Sequence, residues 1–479
     1  MHTEGRILKN TAVLGAGEAI GQLAGFVFII VCGRLYGVDG LGWYSLAMAV
    51  GAIAVVLASA GTHGLLLRDL AQRPEESSAR ISGTLPYEAG LAALIWVVIV
   101  AATSALIADP LGRWIVVLVA AHHLILSVAA LRLIPSRARQ IMWPSACLGA
   151  ADRLLILVIV TPLAVLGLSA ESAFLTFPLV AVVILGAVLA ANRRLADPVT
   201  WQPNSFSRQS DLYAAALPFF NLAVVNALWA RAGVFMIAAL LGEESVGLYA
   251  AGDRILVVFG VLQILFVGAL APAVASLART DRRRSLEVAS RCMRMLLVLT
   301  IPAAGLLAIF HREVVAAMFG EGFEDSAVVL LVLAPAFVIK GVNSLRASQA
   351  MAIGLQAAVA RLRLLALAVF VVFGLVGIRL AGPAGLAAAV VLVEIGYTAA
   401  LRTRLAREAF LAAALPLAWK PAAAVLAAAA VYWSLGGLGA QLQAACVVAS
   451  MLVVLFGLGA VRAHDLRYLR AVLSPRPAP

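Results

Sequence analysis

The sequence predicts an all-α polytopic membrane protein with about fourteen transmembrane helices. The expected arrangement is two pseudo-symmetric six-helix lobes around a central cavity, followed by two extra C-terminal helices. Three observations lead to this fold class: the scarcity of charged residues, the length of the apolar blocks, and the sorting of basic residues among the connections.

The composition excludes a water-soluble fold. Only 13% of the 479 residues are charged, 63% are hydrophobic, and the mean hydropathy is +1.02. Soluble proteins carry about 25% charged residues, so this chain has too few to cover a surface in water. The apolar residues also form long blocks, such as residues 115–131 and 154–168. Such blocks suit the ~30 Å hydrocarbon core of a bilayer, where a spanning segment of this kind must be helical.

The apolar blocks give fourteen candidate spans, joined by short connections that leave no room for a soluble domain. Their ends are approximate by several residues. The spans cover roughly residues 10–34, 41–61, 85–107, 112–133, 146–167, 172–192, 212–240, 247–274, 291–310, 326–347, 357–378, 384–403, 417–436 and 441–462.

Charge sorts the connections into two sets. Basic residues concentrate at the N-terminus, after even-numbered spans and in the C-terminal tail, for example at residues 279–284 and 402–407. The opposite connections collect acidic residues such as Glu243, Glu244 and Asp325. By the positive-inside rule, both termini are expected to be cytoplasmic. The net charge of +12 is therefore a property of many separate loops, and a nucleic-acid partner is not expected.

The stretch VLGAGEAIG at residues 13–21 has the glycine spacing of a dinucleotide-binding turn. No strand precedes it, because residues 1–12 are polar and short, and an apolar helix follows. We therefore interpret the glycines as a surface for close packing between transmembrane helices. The small and polar residues on one face of this first span are Thr11, Gly15, Glu18, Gln22 and Gly25.

The cysteines are scattered and have no C-x-x-C spacing, so neither a metal site nor a disulfide framework is expected. No cofactor is expected either.

Two pairs of segments echo each other. Residues 34–47 (RLYGVDGLGWYSLA) align without gaps to 239–252 (ALLGEESVGLYAAG), and RLLIL at 153–157 matches RLLAL at 363–367. The order of the echoes favours two homologous lobes in parallel orientation, the symmetry that many transporters use. The predicted divisions are residues 1–205 for spans one to six, 206–408 for spans seven to twelve, and 409–479 for two additional spans and a cytoplasmic tail.

The segments at 34–47, 247–255 (GLYAAGDRI), 311–344 and 381–394 resemble the polysaccharide-transporter branch of the multidrug/oligosaccharidyl-lipid/polysaccharide (MOP) exporter superfamily. The resemblance extends over roughly residues 7–460. It implies a flippase that moves undecaprenyl-pyrophosphate-linked oligosaccharide across the bacterial inner membrane by alternating access, in lipopolysaccharide or exopolysaccharide synthesis. It also implies contact with membrane lipids, and makes a polysaccharide polymerase and chain-length proteins candidate partners.

Other functions stay open at this point. Within the same superfamily, the alternatives are a cation-coupled drug exporter and a peptidoglycan-precursor flippase. A membrane glycosyltransferase or polymerase would need a sizeable external loop with catalytic groups. The longest external connection, roughly residues 311–325, is too short for that, and no catalytic residue is expected.

Ionisable groups inside spans mark candidate binding positions, because each costs about 2.5–3.5 kcal/mol to insert. A carrier of a pyrophosphate headgroup needs fixed cations in a hydrated cavity, and the planar guanidinium matches phosphate oxygens. The alternative for each group is an internal salt bridge or a hydrated position near a helix end. The candidate cavity residues are Arg231, Arg254, Glu18, Gln22, Asn226 and Glu394.

Further charged residues lie near span ends. Arg153 and Arg363 begin spans five and eleven on the cytoplasmic side, where they either snorkel to the interface or form a basic vestibule for an anionic headgroup. Lys340 and Arg346 in span ten are expected to be solvated near the cytoplasmic end.

A coupling cation, H⁺ or Na⁺, is a further possibility. His122 and His123 in span four could relay protons. With no acid nearby in the sequence, a hydrogen-bonded structural role is the simpler interpretation.

Overall fold

The computed structural model describes residues 2–167, 169–195, 209–280, 282–352, 354–405, 415–436 and 439–460. Over these ranges the secondary structure is helical throughout, without a β-strand. The predicted all-α class is therefore confirmed.

The chain forms two compact units, Met1–Ala251 and Gly252–Pro479. The helices of the first unit are α1 (His2–Ser59), α2 (Thr62–Gln72), α3 (Ser77–Leu106), α4 (Pro110–Ala138), α5 (Trp143–Val165), α6 (Ala170–Phe174), α7 (Thr176–Leu195) and α8 (Gln209–Leu241). Helix α9 (Glu243–Thr280) begins in the first unit and continues into the second. The second unit also contains α10 (Arg282–Ile309), α11 (His311–Phe319), α12 (Glu324–Ala352), α13 (Gln356–Leu405), α14 (Leu415–Ser434) and α15 (Ala440–Gly457).

The unit boundary does not coincide with the lobe boundaries expected from the repeat. Helix α8 belongs to the first unit because it packs against α1 and α2. The division into residues 1–205, 206–408 and 409–479 stays a prediction.

Ten segments among the described residues are long and apolar enough to cross a membrane. Two of them, Val13–Ser59 and Gln356–Thr403, are far longer than one crossing needs: at 1.5 Å per residue, 47 residues extend about 70 Å. Each is broken by a kink, at Gly37 in α1 and at Ala381–Gly382 in α13. The predicted loops after spans one and eleven are therefore sharp kinks within nearly continuous helices.

Glycine makes both kinks possible. Gly37 has φ 70° and ψ −168°, and Gly382 has φ 57° and ψ −139°, conformations that side chains with a Cβ rarely adopt.

The glycine stretch at the start of the chain packs as the sequence predicts. A Cβ on Gly17 would lie 2.8 Å from Ala146, and one on Gly21 would lie 2.9 Å from the carbonyl oxygen of Gly149. The two backbones of α1 and α5 approach this closely only because no side chain separates them. The stretch is a helix-packing surface and not a nucleotide-binding turn.

The repeat glycines Gly42 and Gly247 lie in a reciprocal contact inside the first unit. A Cβ on Gly42 would overlap the carbonyl of Glu243, and a Cβ on Gly247 would overlap the carbonyl of Val38. Val38 and Glu243 occupy matching positions of the aligned repeat. Gly42 thus meets Glu243, and its repeat counterpart Gly247 meets Val38, which is the counterpart of Glu243. A two-fold relation between the two repeats would produce this reciprocal pattern.

Candidate functional site

In the first unit, Glu18, Gln22 and Arg153 form one polar cluster between α1 and α5. The guanidinium Nη1 of Arg153 lies 3.5 Å from Oε1 of Glu18, at ion-pair distance but outside hydrogen-bond geometry. Gln22 donates to the same oxygen at 2.7 Å. The guanidinium fits here because position 21 lacks a side chain: a Cβ there would lie 3.3 Å from Nη1. A predicted cavity acid and a predicted vestibule arginine are thus brought together.

A second cluster of the first unit joins α4 and α5. Nε2 of His122 lies 3.1 Å from Oδ1 of Asp152, and its Nδ1 donates to the carbonyl oxygen of Phe177 at 2.9 Å. His123 donates to the carbonyl of Val119 at 2.9 Å. No acid lies near the two histidines in the sequence, but α5 brings Asp152 to His122.

The contacts of His122 constrain where protons reside. Since a carbonyl only accepts hydrogen bonds, Nδ1 carries a hydrogen. A lone pair on Nε2 would repel the facing carboxylate of Asp152. The contact lies at ion-pair distance, and Oδ1 of Asp152 is outside hydrogen-bond geometry.

In the second unit, Glu394 is held from two sides. Its side chain is only 1% exposed, and its Oε1 lies 3.3 Å from Nη1 of Arg363. Asn343 of α12 donates to Oε2 at 2.8 Å, and Thr398 donates to the amide oxygen of Asn343 at 2.7 Å. The guanidinium of Arg363 lies over the Tyr397 ring, 5.0 Å from its centroid. Glu394 therefore forms an internal salt bridge, which the sequence left open as an alternative for each candidate.

The two arginines of the RLLxL echo behave alike. Arg153 and Arg363 are each the first residue of the motif, and each pairs with a predicted cavity acid of its own unit. The acids come from different helices, since Glu18 lies on α1 and Glu394 on the second arm of α13. In each unit, one expected vestibule arginine therefore lies beside one expected cavity acid.

The remaining candidates are placed singly. Asn226 lies exposed on α8, and Arg231, half-buried on the same helix, interacts electrostatically with His123. Arg254 is half-buried on α9, and forms no ion pair with Asp253 or with another described residue of its unit.

One buried acid was not expected from sequence. Glu88 of α3 is fully buried, with its carboxylate 2.9 and 3.0 Å from Nε2 of His63 and 2.7 Å from the donating hydroxyl of Ser127. The sequence did indicate that Glu88 needs a partner, because this residue lies inside the predicted third span, where an ionisable group is costly unless it is paired.

The expectation for Arg346 is wrong. This residue is only 5% exposed on α12, whereas Lys340 is exposed as expected for a solvated lysine. Arg346 is buried because the helix turns it to the side that carries Asn343, toward α13.

A cavity of about 550 Å³ lies in the first unit between α2, α3 and α8. Its charged lining is largely self-compensated: Arg80 contacts Asp69 at 2.9 Å and Glu76 at 2.7 Å. In this connection, which the sequence analysis grouped with the basic ones, the arginines are therefore paired with acidic residues.

Comparison with known proteins identifies the family. The sequence model of the family described as polysaccharide biosynthesis protein matches residues 7–278. The chain belongs to this family. No curated protein sequence matches the chain.

Solved structures show which fold this member of the polysaccharide biosynthesis family has. The lipid II flippase MurJ, in an inward-closed conformation, matches with a TM-score of 0.72 and 13% identity, over 96% of this chain and 100% of that one. An inward-facing multidrug resistance MATE transporter of the MOP superfamily matches with a TM-score of 0.61 and 15% identity, over 81% of this chain and 95% of that one. A point mutant of the MATE transporter VcmN of Vibrio cholerae matches with a TM-score of 0.57 and 15% identity, over 85% of this chain and 99% of that one.

The resemblance drawn from the sequence motifs is thereby confirmed. The chain is a multi-pass membrane protein with the fold of MOP superfamily transporters, a fold of transporters and flippases rather than of enzymes.

Proposed function

We propose that this protein is a flippase that moves undecaprenyl-pyrophosphate-linked oligosaccharide across the bacterial inner membrane by alternating access. The observation that carries the proposal is a joint one: a polysaccharide biosynthesis family match over residues 7–278 and a transporter fold along nearly the whole chain. Both termini are cytoplasmic, as the distribution of arginines indicates.

The ion pairs suggest how an anionic headgroup binds. Glu18 pairs with Arg153 when no substrate is bound. A pyrophosphate oxygen competes with this carboxylate for the guanidinium, and offers a bidentate acceptor with more charge. Arg231 of the first unit and Arg254 of the second supply further cations, and Asn226 and Gln22 supply neutral donors. Binding and release then exchange one anion for another, so no bare guanidinium is left in hydrocarbon.

A proton is the coupling cation that these contacts favour. The His122–Asp152 pair brings two proton-binding groups together, with Nε2 3.1 Å from Oδ1, at ion-pair distance but outside hydrogen-bond geometry. Sodium would require several oxygen ligands, and this pair supplies a ring nitrogen instead. Membrane lipids, a polysaccharide polymerase and chain-length proteins are the proposed partners.

A drug exporter of the same fold is the less favoured function. Organic cations need an acid without a competing partner, whereas Glu18 and Glu394 both face an arginine. A peptidoglycan-precursor flippase would use the same cations, and the family match favours a polysaccharide substrate over it.

Transport in proteoliposomes tests the proposal. A fluorescent lipid-linked oligosaccharide is reconstituted with the protein, and flipping is read with a membrane-impermeant quencher. We expect the Arg231→Ala and Arg254→Ala variants to insert normally and to flip the substrate at least ten times more slowly. The Arg231→Lys and Arg254→Lys variants should keep part of the activity, because the lysine ammonium keeps the positive charge but not the bidentate geometry of the guanidinium.

Arg361→Ala is the matched control, since Arg361 is exposed two residues before Arg363. Flipping at the wild-type rate by both alanine variants would contradict these site assignments. Absence of flipping by the wild-type protein, with transport of an organic cation in its place, would contradict the proposed function itself.

A further inference from the structure

Helix α12 carries two buried polar side chains whose hydrogen-bonding groups are unused. Arg346 is 5% exposed, and its Nε and Nη1 have no partner within the described part of the chain. Gln349 is 2% exposed, and neither its Nε2 nor its Oε1 has a partner there. The two residues lie three positions apart on α12, so their side chains are neighbours on the helix surface.

The position of this pair along the bundle explains why no described acid reaches it. Asn343 lies one turn earlier on α12, and its amide binds Glu394. That carboxylate is already shared by Asn343 and Arg363. Arg402 lies two turns beyond Glu394 on α13, near enough for its positive charge to act on Arg346. The local charge at this end of α12 and α13 is therefore positive, with one carboxylate that is already engaged.

A buried guanidinium without an acceptor is rare, because burial removes its hydration and nothing replaces it. Buried polar atoms almost always have a partner, from the protein or from a bound species. Four such atoms on adjacent side chains point to a ligand that supplies acceptors to Arg346 and to the amide NH₂ of Gln349. The same ligand must also donate a hydrogen bond, since the carbonyl oxygen of Gln349 can only accept.

These requirements select the ligand's chemistry. A carboxylate or a phosphodiester offers acceptors alone. A phosphate with a P–OH group offers charged acceptor oxygens and one donor, and guanidinium groups bind phosphate strongly. We propose that Arg346 and Gln349 form a binding site for a hydrogen phosphate group, either inorganic phosphate or the monoester headgroup of a lipid. The site lies entirely in the second unit and does not depend on the proposed flippase activity.

Ligand-dependent thermal stability tests this site on the full-length protein in detergent. A ligand that binds only the folded state raises the melting temperature with its concentration. We expect inorganic phosphate to raise the wild-type melting temperature by several degrees, sulfate at equal ionic strength to raise it less, and chloride to have no effect. Arg346→Met and Gln349→Leu should each lose most of the response, and Arg361→Ala should keep it.

The phosphate-free melting temperature provides a second readout. Because Arg346→Met removes a buried charge that lacks a partner, the variant should melt at or above the wild-type temperature in phosphate-free buffer. A lower melting temperature for Arg346→Met would overturn the proposal, because it would show that the guanidinium has a structural partner. Where phosphate stabilises the wild-type protein, equal stabilisation of both variants would overturn it as well.

Micelles containing phosphatidic acid, a phosphomonoester, are compared with micelles containing phosphatidylglycerol, a diester. Stabilisation by phosphatidic acid and not by inorganic phosphate would assign the site to lipid headgroups, and the reverse would assign it to the soluble anion. Stabilisation by neither would overturn the proposal. None of these readouts involves glycan transport, so their failure would leave the proposed function standing.

Discussion

At the scale of single residues, the described intramembrane charges of this protein are mostly found in pairs. Glu18 faces Arg153, Glu394 faces Arg363, and Asp152 faces His122. The first pair links α1 to α5, the second links the two arms of α13, and the third links α5 to α4, so each pair offsets the cost of a charged group in an apolar segment and connects two helical segments.

The Glu394 cluster gives the first prediction at this scale. Removing one partner of a buried pair strands the other, so Glu394→Ala should lower the free energy of unfolding by about 3 kcal/mol, the low end for such losses because Arg363 is partly exposed. Glu394→Gln keeps an acceptor oxygen for Asn343 and should lose only about 1 kcal/mol.

Equilibrium unfolding in mixed micelles measures both losses. Glu321→Gln is the control, since this acid is exposed in the α11–α12 connection and should change stability by less than about 0.5 kcal/mol. Equal losses for Glu394→Ala and Glu394→Gln would contradict this prediction, because they would show that the charge paired with Arg363 accounts for the whole loss and the oxygen kept for Asn343 for none of it.

The sequence showed which intramembrane charges need a partner, but not which residue that partner is. That Glu18, Arg153 and Glu394 needed partners followed from their position in apolar blocks. Which residue each partner would be depends on tertiary packing, because Glu18 and Arg153 lie on α1 and α5 and no local pattern links them. Arg346 was misjudged because nearness to a span end does not reveal which side of the helix faces the bundle.

At the scale of elements, two kinks divide each of the two longest helices into two arms that can cross the membrane separately. The sequence predicted breaks near Gly37 and Gly382 from the drop in hydropathy, but not that the helices would continue almost without interruption. That outcome depends on single residues with unusual backbone angles, to which hydropathy is insensitive.

Gly37→Ala tests the α1 kink. A Cβ at this position would meet nothing within 4 Å, so the substitution changes the backbone preference and no packing. We expect a loss of about 1–3 kcal/mol in the free energy of unfolding, the usual strain at such angles. Gly90→Ala on α3 is the control, because that position is also open but helical and should gain about 0.5–1 kcal/mol. A neutral Gly37→Ala would contradict the requirement for glycine at the kink.

At the scale of the whole molecule, the number of crossings determines which end of each helix faces the cytoplasm. Ten segments pass on length and hydropathy, and each of the two kinked ones supplies two arms. The predicted fourteen also needs α9 and α14, which are not among the ten. Helix α14 carries Lys420, whose Nζ donates to the carbonyl oxygen of Leu458 at 2.6 Å. The lysine lowers the hydropathy of α14, but its ammonium group has an acceptor, so α14 can still cross.

Protease accessibility of epitope tags decides the count. With fourteen spans, tags at both termini are cleaved in inverted membrane vesicles, while tags after Gly320 and between α14 and α15 are protected there and cleaved in spheroplasts. If α9 did not cross, every later connection would change sides, and the tag after Gly320 would become accessible in inverted vesicles. If α14 alone did not cross, the tag between α14 and α15 and the C-terminal tag would both change sides. The positive-inside distribution opposes both alternatives, since either would place arginine-rich connections or the basic C-terminal tail outside.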